Sequence, residues 1–292
     1  MAQWNNVHLM FCEGPHDAAF LKLIIKTMLG FNSVPLKLSD LPYPLNDIFK
    51  KSFEVRAAED FRLDLAKKFF LPEYLLCHGN SLVLIFNYGG ANRQRSMEPF
   101  LDKVFTLRSV TAFSKNAEPV SHPNYKYMIF ADADADGREN ARSKISHDLS
   151  LIDGVKWLAD EWTACINTKA ATQETDVGPT AAYIWSKWEE DTGTLEDIVY
   201  SCVSNTVGLE QTLAFIDDRF EWEPVEGATP SQVCASTAKR LKAALCVEGQ
   251  RKKPGGSLGV VLDQAGLIDA RTIETSREAQ DCVLFLRGWL AE

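Results

Sequence analysis

The stretch KYMIFADADADGRENAR, Lys126 to Arg142, decides how the chain is read. Tyr127 to Phe130 is an apolar run of buried-strand length, and Asp132, Asp134 and Asp136 follow it before a turn-forming Gly137. In an open α/β sheet, ligands bind in the crevice outside the carboxyl ends of the strands. Alternate residues of an extended chain point the same way, so the three carboxylates can converge on one side. Converging carboxylates repel, and a hard divalent cation coordinated by oxygen relieves that repulsion. Two plainer readings compete. D-A-D-A-D-G matches the first half of an EF-hand calcium loop, but continuing the count puts Ser143 where a bidentate Glu is needed, and a strand pattern leads in where a helix should. The other is a solvated Asp/Gly turn.

The amino-terminal region contains a second such junction. Val7 to Cys12, VHLMFC, reads as a buried strand, and Glu13-Gly14-Pro15-His16-Asp17 turns into a helix with Phe20, Leu21, Ile24, Ile25 and Met28 on its apolar face. Glu13 sits at the strand end and Asp17 about one helical turn later, so both acids can face the crevice used by Asp132. The alternative for this pair is a capping turn.

FCEGPHDAAFL followed much later by YMIFADADADG resembles the two signature motifs of the Toprim family, the domain shared by topoisomerases, primases and a group of nucleases. That family shows an apolar strand ending in Glu-Gly with an acid shortly after, and a later strand ending in Asp-x-Asp. The resemblance spans roughly residues 5 to 200. It implies a compact, Rossmann-like parallel sheet flanked by helices, and magnesium-dependent phosphoryl transfer. Asp132 and Asp134 would be the main ligands of Mg2+, or of Mn2+ in its place, with Asp136 and Asp17 accessory. Glu13 would be a ligand or the general acid or base. The string Gly193-Thr194-Leu195-Glu196-Asp197 is similar to a GTLED motif of stand-alone Toprim-like proteins, which makes Glu196 a candidate for holding a second ion. Asp197 also completes a capping-box-like arrangement three residues after Thr194. Arg138, Arg142 and Lys144 follow the acid cluster closely enough to steady a phosphate or to neutralise the aspartates.

Outside the motifs, the sequence organises the rest of the fold. Residues 31 to 80 read as an insertion or connection broken by Pro35, Pro42, Pro44 and Pro72 around an amphipathic stretch at 52 to 70. Lys50, Lys51, Lys67 and Lys68 in this region read as a solvated face. Leu82 to Phe86 is another buried strand, with Gly89-Gly90 beyond it, Arg93 and Arg95 as phosphate candidates, and a helix near 98 to 110. A helix is expected over 138 to 151, irregular structure over 153 to 179, and a strand over 181 to 188. From Gly208 onward every apolar pattern is helical, giving an α/β domain over 1 to 205 and a helical subdomain over 206 to 292. Arg251, Lys252 and Lys253 form the densest cationic patch, in a Pro/Gly loop, and are either phosphate contacts or a solvated loop.

Composition narrows the function. The chain of 292 residues is 46% hydrophobic with a net charge of -9, so no broad basic surface holds nucleic acid by counterion release alone. Its seven cysteines never form a C-x-x-C pair, which argues against zinc ribbons and disulfide frameworks and for a reducing cytoplasm. No signal peptide or membrane span is expected, and no Walker-type loop is present, so no nucleotide cofactor is expected. The leading reading is a nuclease of the Toprim type acting on DNA or RNA, similar to the overcoming-lysogenization nucleases but without their ATPase. A separate ATPase chain, or a second copy of this one, remains open as a partner. The rival is a non-catalytic Toprim-like binding or regulatory module acting with a partner protein. A phosphoacceptor receiver domain fits Glu13-Gly14 poorly.

Overall fold

The computed structural model describes residues 4–58, 70–90, 93–113, 123–152, 162–203, 208–222 and 226–291. Lys67 and Lys68, with most of the amphipathic stretch from 52 to 70, lie outside them. The chain opens with β1 (Asn6–Cys12) and α1 (Pro15–Leu29), the strand-turn-helix unit its apolar pattern demands. Pro15 occupies the first helical turn, and the Gly14 N–H donates to Asp17 Oδ2 at 3.1 Å, fixing the start of the helix. Gly30, at φ 74°, ends it in the left-handed conformation that glycine adopts without steric cost.

Residues 31 to 80 build β2 (Asn32–Ser33), α2 (Leu45–Ala58) and β3 (Tyr74–His78), and β4 (Ser81–Asn87) returns directly through a two-residue turn at Gly79-Asn80. After α3 (Arg93–Phe113) come β5 (Asn124–Asp132) and α4 (Arg138–Ser150), then β6 (Thr163–Ala164), β7 (Ala170–Gln173), β8 (Thr180–Trp185) and α5 (Leu195–Val203). Five helices complete the chain: α6 (Leu209–Arg219), α7 (Pro230–Gln250), α8 (Leu258–Gln264), α9 (Ala270–Thr275) and α10 (Arg277–Leu290).

The strands form one mixed sheet in the order β2-β3-β4-β1-β5-β8-β7-β6. Only the centre, β4-β1-β5-β8, is parallel. This corrects the expectation of a wholly parallel sheet. A two-residue turn can join only antiparallel neighbours, which sets β3 against β4, and β7 turns back antiparallel to β8. Residues 163 to 173, read as irregular from the sequence, carry β6 and β7, which at two and four residues are too short to show a period.

Side-chain alternation assigns the two faces. Met10, Cys12, Met128, Phe130, Tyr183 and Trp185 point to the side covered by α1 and by α5 to α10. Leu9, Phe11, Tyr127, Ile129, Ala182 and Ile184 point to the side covered by α2, α3 and α4. The carboxyl-terminal helices therefore share one apolar cluster with the sheet and α1, rather than closing a core of their own. Burying each large side chain contributes roughly 1.5–3 kcal/mol, which makes this face the main anchor of residues 209 to 290.

His8 is the exception among these strand residues. It is fully buried in β1 beside Lys126 of β5, neither ring nitrogen has a hydrogen-bond partner, and burial, with Lys126 second, lowers its pKa to about 3. An imidazole in this position costs free energy that an apolar side chain would not. His8→Leu is expected to raise the unfolding free energy by about 1–3 kcal/mol, read from denaturant titrations. Unchanged or lowered stability would mean that the ring nitrogens are satisfied.

Candidate metal and acid crevice

The parallel strands run in the order β4-β1-β5-β8, so the chain crosses from one side of β1 to the other between β4 and β5. The ends of β1 and β5 thus flank the topological switch point, where such sheets open a crevice. In register Phe11 lies opposite Ile129, which carries Glu13 level with Ala131 and next to Asp132. Strand pairing alone therefore brings the two motifs together.

The third motif is held against the second by backbone. Asp134 and Gly193 exchange two hydrogen bonds of 2.9 Å each, an isolated antiparallel bridge between the loop after β5 and the turn before α5. Asp134 stands at φ 50°, a conformation that Asp tolerates better than most residues. Gly193 stands at φ 130°, and a Cβ there would come within 2.9 Å of the Lys187 backbone nitrogen. Gly193→Ala is accordingly expected to cost about 2 kcal/mol or more, and to loosen Asp134 and Glu196 along with the turn. A melting temperature equal to the parent's would contradict this. Arg138 adds a further tie, with Nε 2.6 Å from Asp191 Oδ1 and its N–H donating to the Asp191 carbonyl.

This bridge seats the first turn of α5 over the end of β5. The Leu195 N–H donates to Asp132 Oδ1 at 2.7 Å, so the helix start supplies one of the few favourable contacts that carboxylate has. Glu196, the next residue, is only 6% exposed, and its Oε1 lies 2.9 Å from Lys242 Nζ of α7. Asp197 turns back to accept from the Thr194 N–H at 2.9 Å, which is the capping role.

The charges in the crevice oppose one another. Asp17, buried in the first turn of α1, has its pKa raised to about 7, chiefly by burial and then by the negative charges of Glu13 and Glu196. Asp132 keeps a little solvent contact, yet the protein packed around it, followed by Asp17, Glu13 and Glu196, pushes its pKa well above the carboxylate range against the pull of the Leu195 N–H. Asp134 is exposed; burial of its inner side raises its pKa, Lys144 lowers it, and Asp136 and Glu196 add to the rise. Three motifs distant in sequence thus act on one another electrostatically at one rim of the sheet.

The basic candidates lie at the outer edge of this cluster or beyond it. Lys144 Nζ lies 2.7 Å from Asp136 Oδ2, and Arg142 pairs with Glu139 at 3.2 Å, both at the surface. Arg251 pairs with Glu248, and Lys252 Nζ reaches the Gly266 carbonyl. At 1.5 Å per residue their loop begins about 13 Å along α7 from Lys242, beyond the acid cluster. Gly90 donates its N–H to the Glu13 carbonyl at 2.7 Å, so the Gly89-Gly90 turn braces the end of β1.

Sequence reasoning missed the wall contributed by α7. Lys242 of α7 meets Glu196 and lowers the pKa of His16, for which burial is the larger cause and Glu196 the opposing one. Cys234, two turns earlier on α7, is pushed up to about 11 by burial and then by Asp134, Asp197 and Asp132. The spacing of eight residues from Cys234 to Lys242 places both on one helix face, but nothing local says which face meets the crevice.

The donor set is all oxygen and suits a hard divalent cation, and two crowded carboxylates with raised pKa values are what such a cation would relieve. Among the described residues, no three of His, Cys, Asp and Glu already stand at metal-ligand spacing. Magnesium commonly binds through one or two carboxylates and several waters, which needs no such triad.

Fold and site together define the class: a mixed α/β protein, with an eight-stranded sheet flanked by helices and an acidic crevice at its switch point. No protein-family model and no curated protein matches the chain. Among solved structures it is similar to a hypothetical protein from Pyrococcus horikoshii OT3, at 16% identity over 98% of both chains and a TM-score of 0.48. Among the described residues no helix is long and apolar enough to cross a membrane.

Proposed function

We propose that the protein is a Toprim-type, metal-dependent phosphodiesterase acting on DNA or RNA. The observation that carries this reading is geometric: the parallel register of β1 and β5 sets Glu13 beside Asp132, the Leu195 N–H donates to Asp132 Oδ1 at 2.7 Å, and Asp134 and Gly193 exchange two backbone hydrogen bonds, which gathers at one rim motifs that lie up to 183 residues apart. Asp132 and Asp134 would hold Mg2+ or Mn2+, with Glu13, Asp17, Asp136 and Glu196 around it. When bound, that ion would polarise a phosphodiester and stabilise the attacking and leaving oxygens. Asp17, near pH 7 in its titration, can exchange a proton under neutral conditions. The Leu195 N–H fixes the orientation of Asp132, and Lys242 compensates the charge of Glu196.

The second reading, a non-catalytic module that engages a partner protein, draws on the carboxylates' not yet standing at ligand spacing. Labelled single- and double-stranded DNA and RNA, incubated with the protein in Mg2+, Mn2+ or chelator, separate the two. The nuclease reading predicts cleavage that needs the metal and is lost in Glu13→Ala. No cleavage of any of these polymers in either metal would favour the module.

A further inference from the structure

A cavity of about 540 Å³ opens at the rim of the sheet opposite the acidic crevice. It lies beside the starts of β5 and β8, between the turn joining β6 to β7 and the last turns of α10. Its size is that of pockets that hold small organic ligands. Lys126, only 8% exposed, lines it, with Nζ donating to the Trp289 carbonyl at 3.1 Å and lying 5.4 Å from the centre of the Trp289 ring. Phe285 and Trp289 supply aromatic wall, while Ile166, 87% exposed, and Leu284, 52% exposed, stand at the mouth. Glu174, the lining carboxylate, is at the exposed edge, so the cation lies deep and the acid shallow.

Gly288, exposed on α10, lines the same space. It sits inside α10, where glycine weakens a helix relative to alanine. A Cβ there would meet nothing within 4 Å, so neither packing nor a left-handed conformation calls for glycine. What its missing side chain leaves is room in the cavity wall.

We infer that this cavity binds a small organic anion, a carboxylate or sulfonate on a ring-sized apolar body. The body lies against Trp289, Phe285 and Leu284, and the anionic group is directed at Lys126. The site is separate from the acidic crevice and does not depend on what that crevice does.

The test uses the full chain and two fluorescent probes, the anion 8-anilinonaphthalene-1-sulfonate and the neutral N-phenyl-1-naphthylamine. The parent protein should bind the anion saturably at one site, about tenfold or more tighter than the neutral probe. Lys126→Met should weaken the anion about tenfold and leave the neutral probe unchanged. Gly288→Leu, which fills the space and strengthens the helix, should weaken both about tenfold or more without lowering the melting temperature. Undiminished binding in Gly288→Leu, equal affinity for the two probes, or no saturable binding by the parent would overturn the proposal.

Discussion

Asp132→Asn should reduce metal-dependent cleavage on the order of a hundred- to a thousand-fold while making the metal-free protein more heat-stable near pH 7.5. The two effects have one origin. Asp132 is set deep at the end of β5, and its charge is opposed by Asp17, Glu13 and Glu196. Asparagine keeps an Oδ1 that can accept the Leu195 N–H, so α5 stays seated. It removes the charge, and with it both the repulsion and the capacity to hold a divalent cation. A variant that lost activity and also melted well below the parent would place Asp132 in the scaffold and not in a metal site.

The second large effect is a linkage between pH and metal. Burial, then Glu13 and Glu196, raise the Asp17 carboxyl to about 7 in the folded state from its ordinary value of 3.8. Between those values the folded state holds a proton that the unfolded state has released, so this group's contribution to stability falls as pH rises through the window, and the full penalty stands above about pH 7. Asp132, also raised, acts in the same direction. His8 has the opposite sign: burial lowers it to about 3 in the folded state from the ordinary imidazole value of 6.5, so its contribution is lost as pH falls through that range. As pH rises past about 7, His8 no longer titrates while Asp17 takes on its charge. Millimolar Mg2+ should therefore raise the melting temperature by several degrees near pH 8 and by little near pH 5, where a proton already occupies Asp17. The dependence should vanish in an Asp17→Asn, Asp132→Asn double variant. A Mg2+ effect equal at both pH values would point to binding elsewhere.

Much of this arrangement was legible because it is local. VHLMFC and KYMIFAD carry the apolar density of buried strands, and Glu13 and Asp132 stand where those runs stop. Once two such strands are adjacent and parallel, their acids must share a rim. The antiparallel edges were harder to see, since β6 and β7 are too short for periodicity to register. The Asp134–Gly193 bridge was invisible for a different reason: it joins backbones 59 residues apart, and only the glycine of the turn hints at it. Lys242 and Cys234 follow the same rule, because which face of α7 turns inward is settled by packing against α8 and α5, not by α7 itself.

The most direct test is a crystal of the protein soaked in Mn2+ and measured at a wavelength where manganese scatters anomalously. The account predicts a strong difference peak at the carboxyl ends of β1 and β5, within about 2.5 Å of carboxylate oxygens from Asp132 or Asp134, with Glu13 coordinating directly or through water. A peak held by other residues, or none at the crevice under metal concentrations that support cleavage, would contradict it.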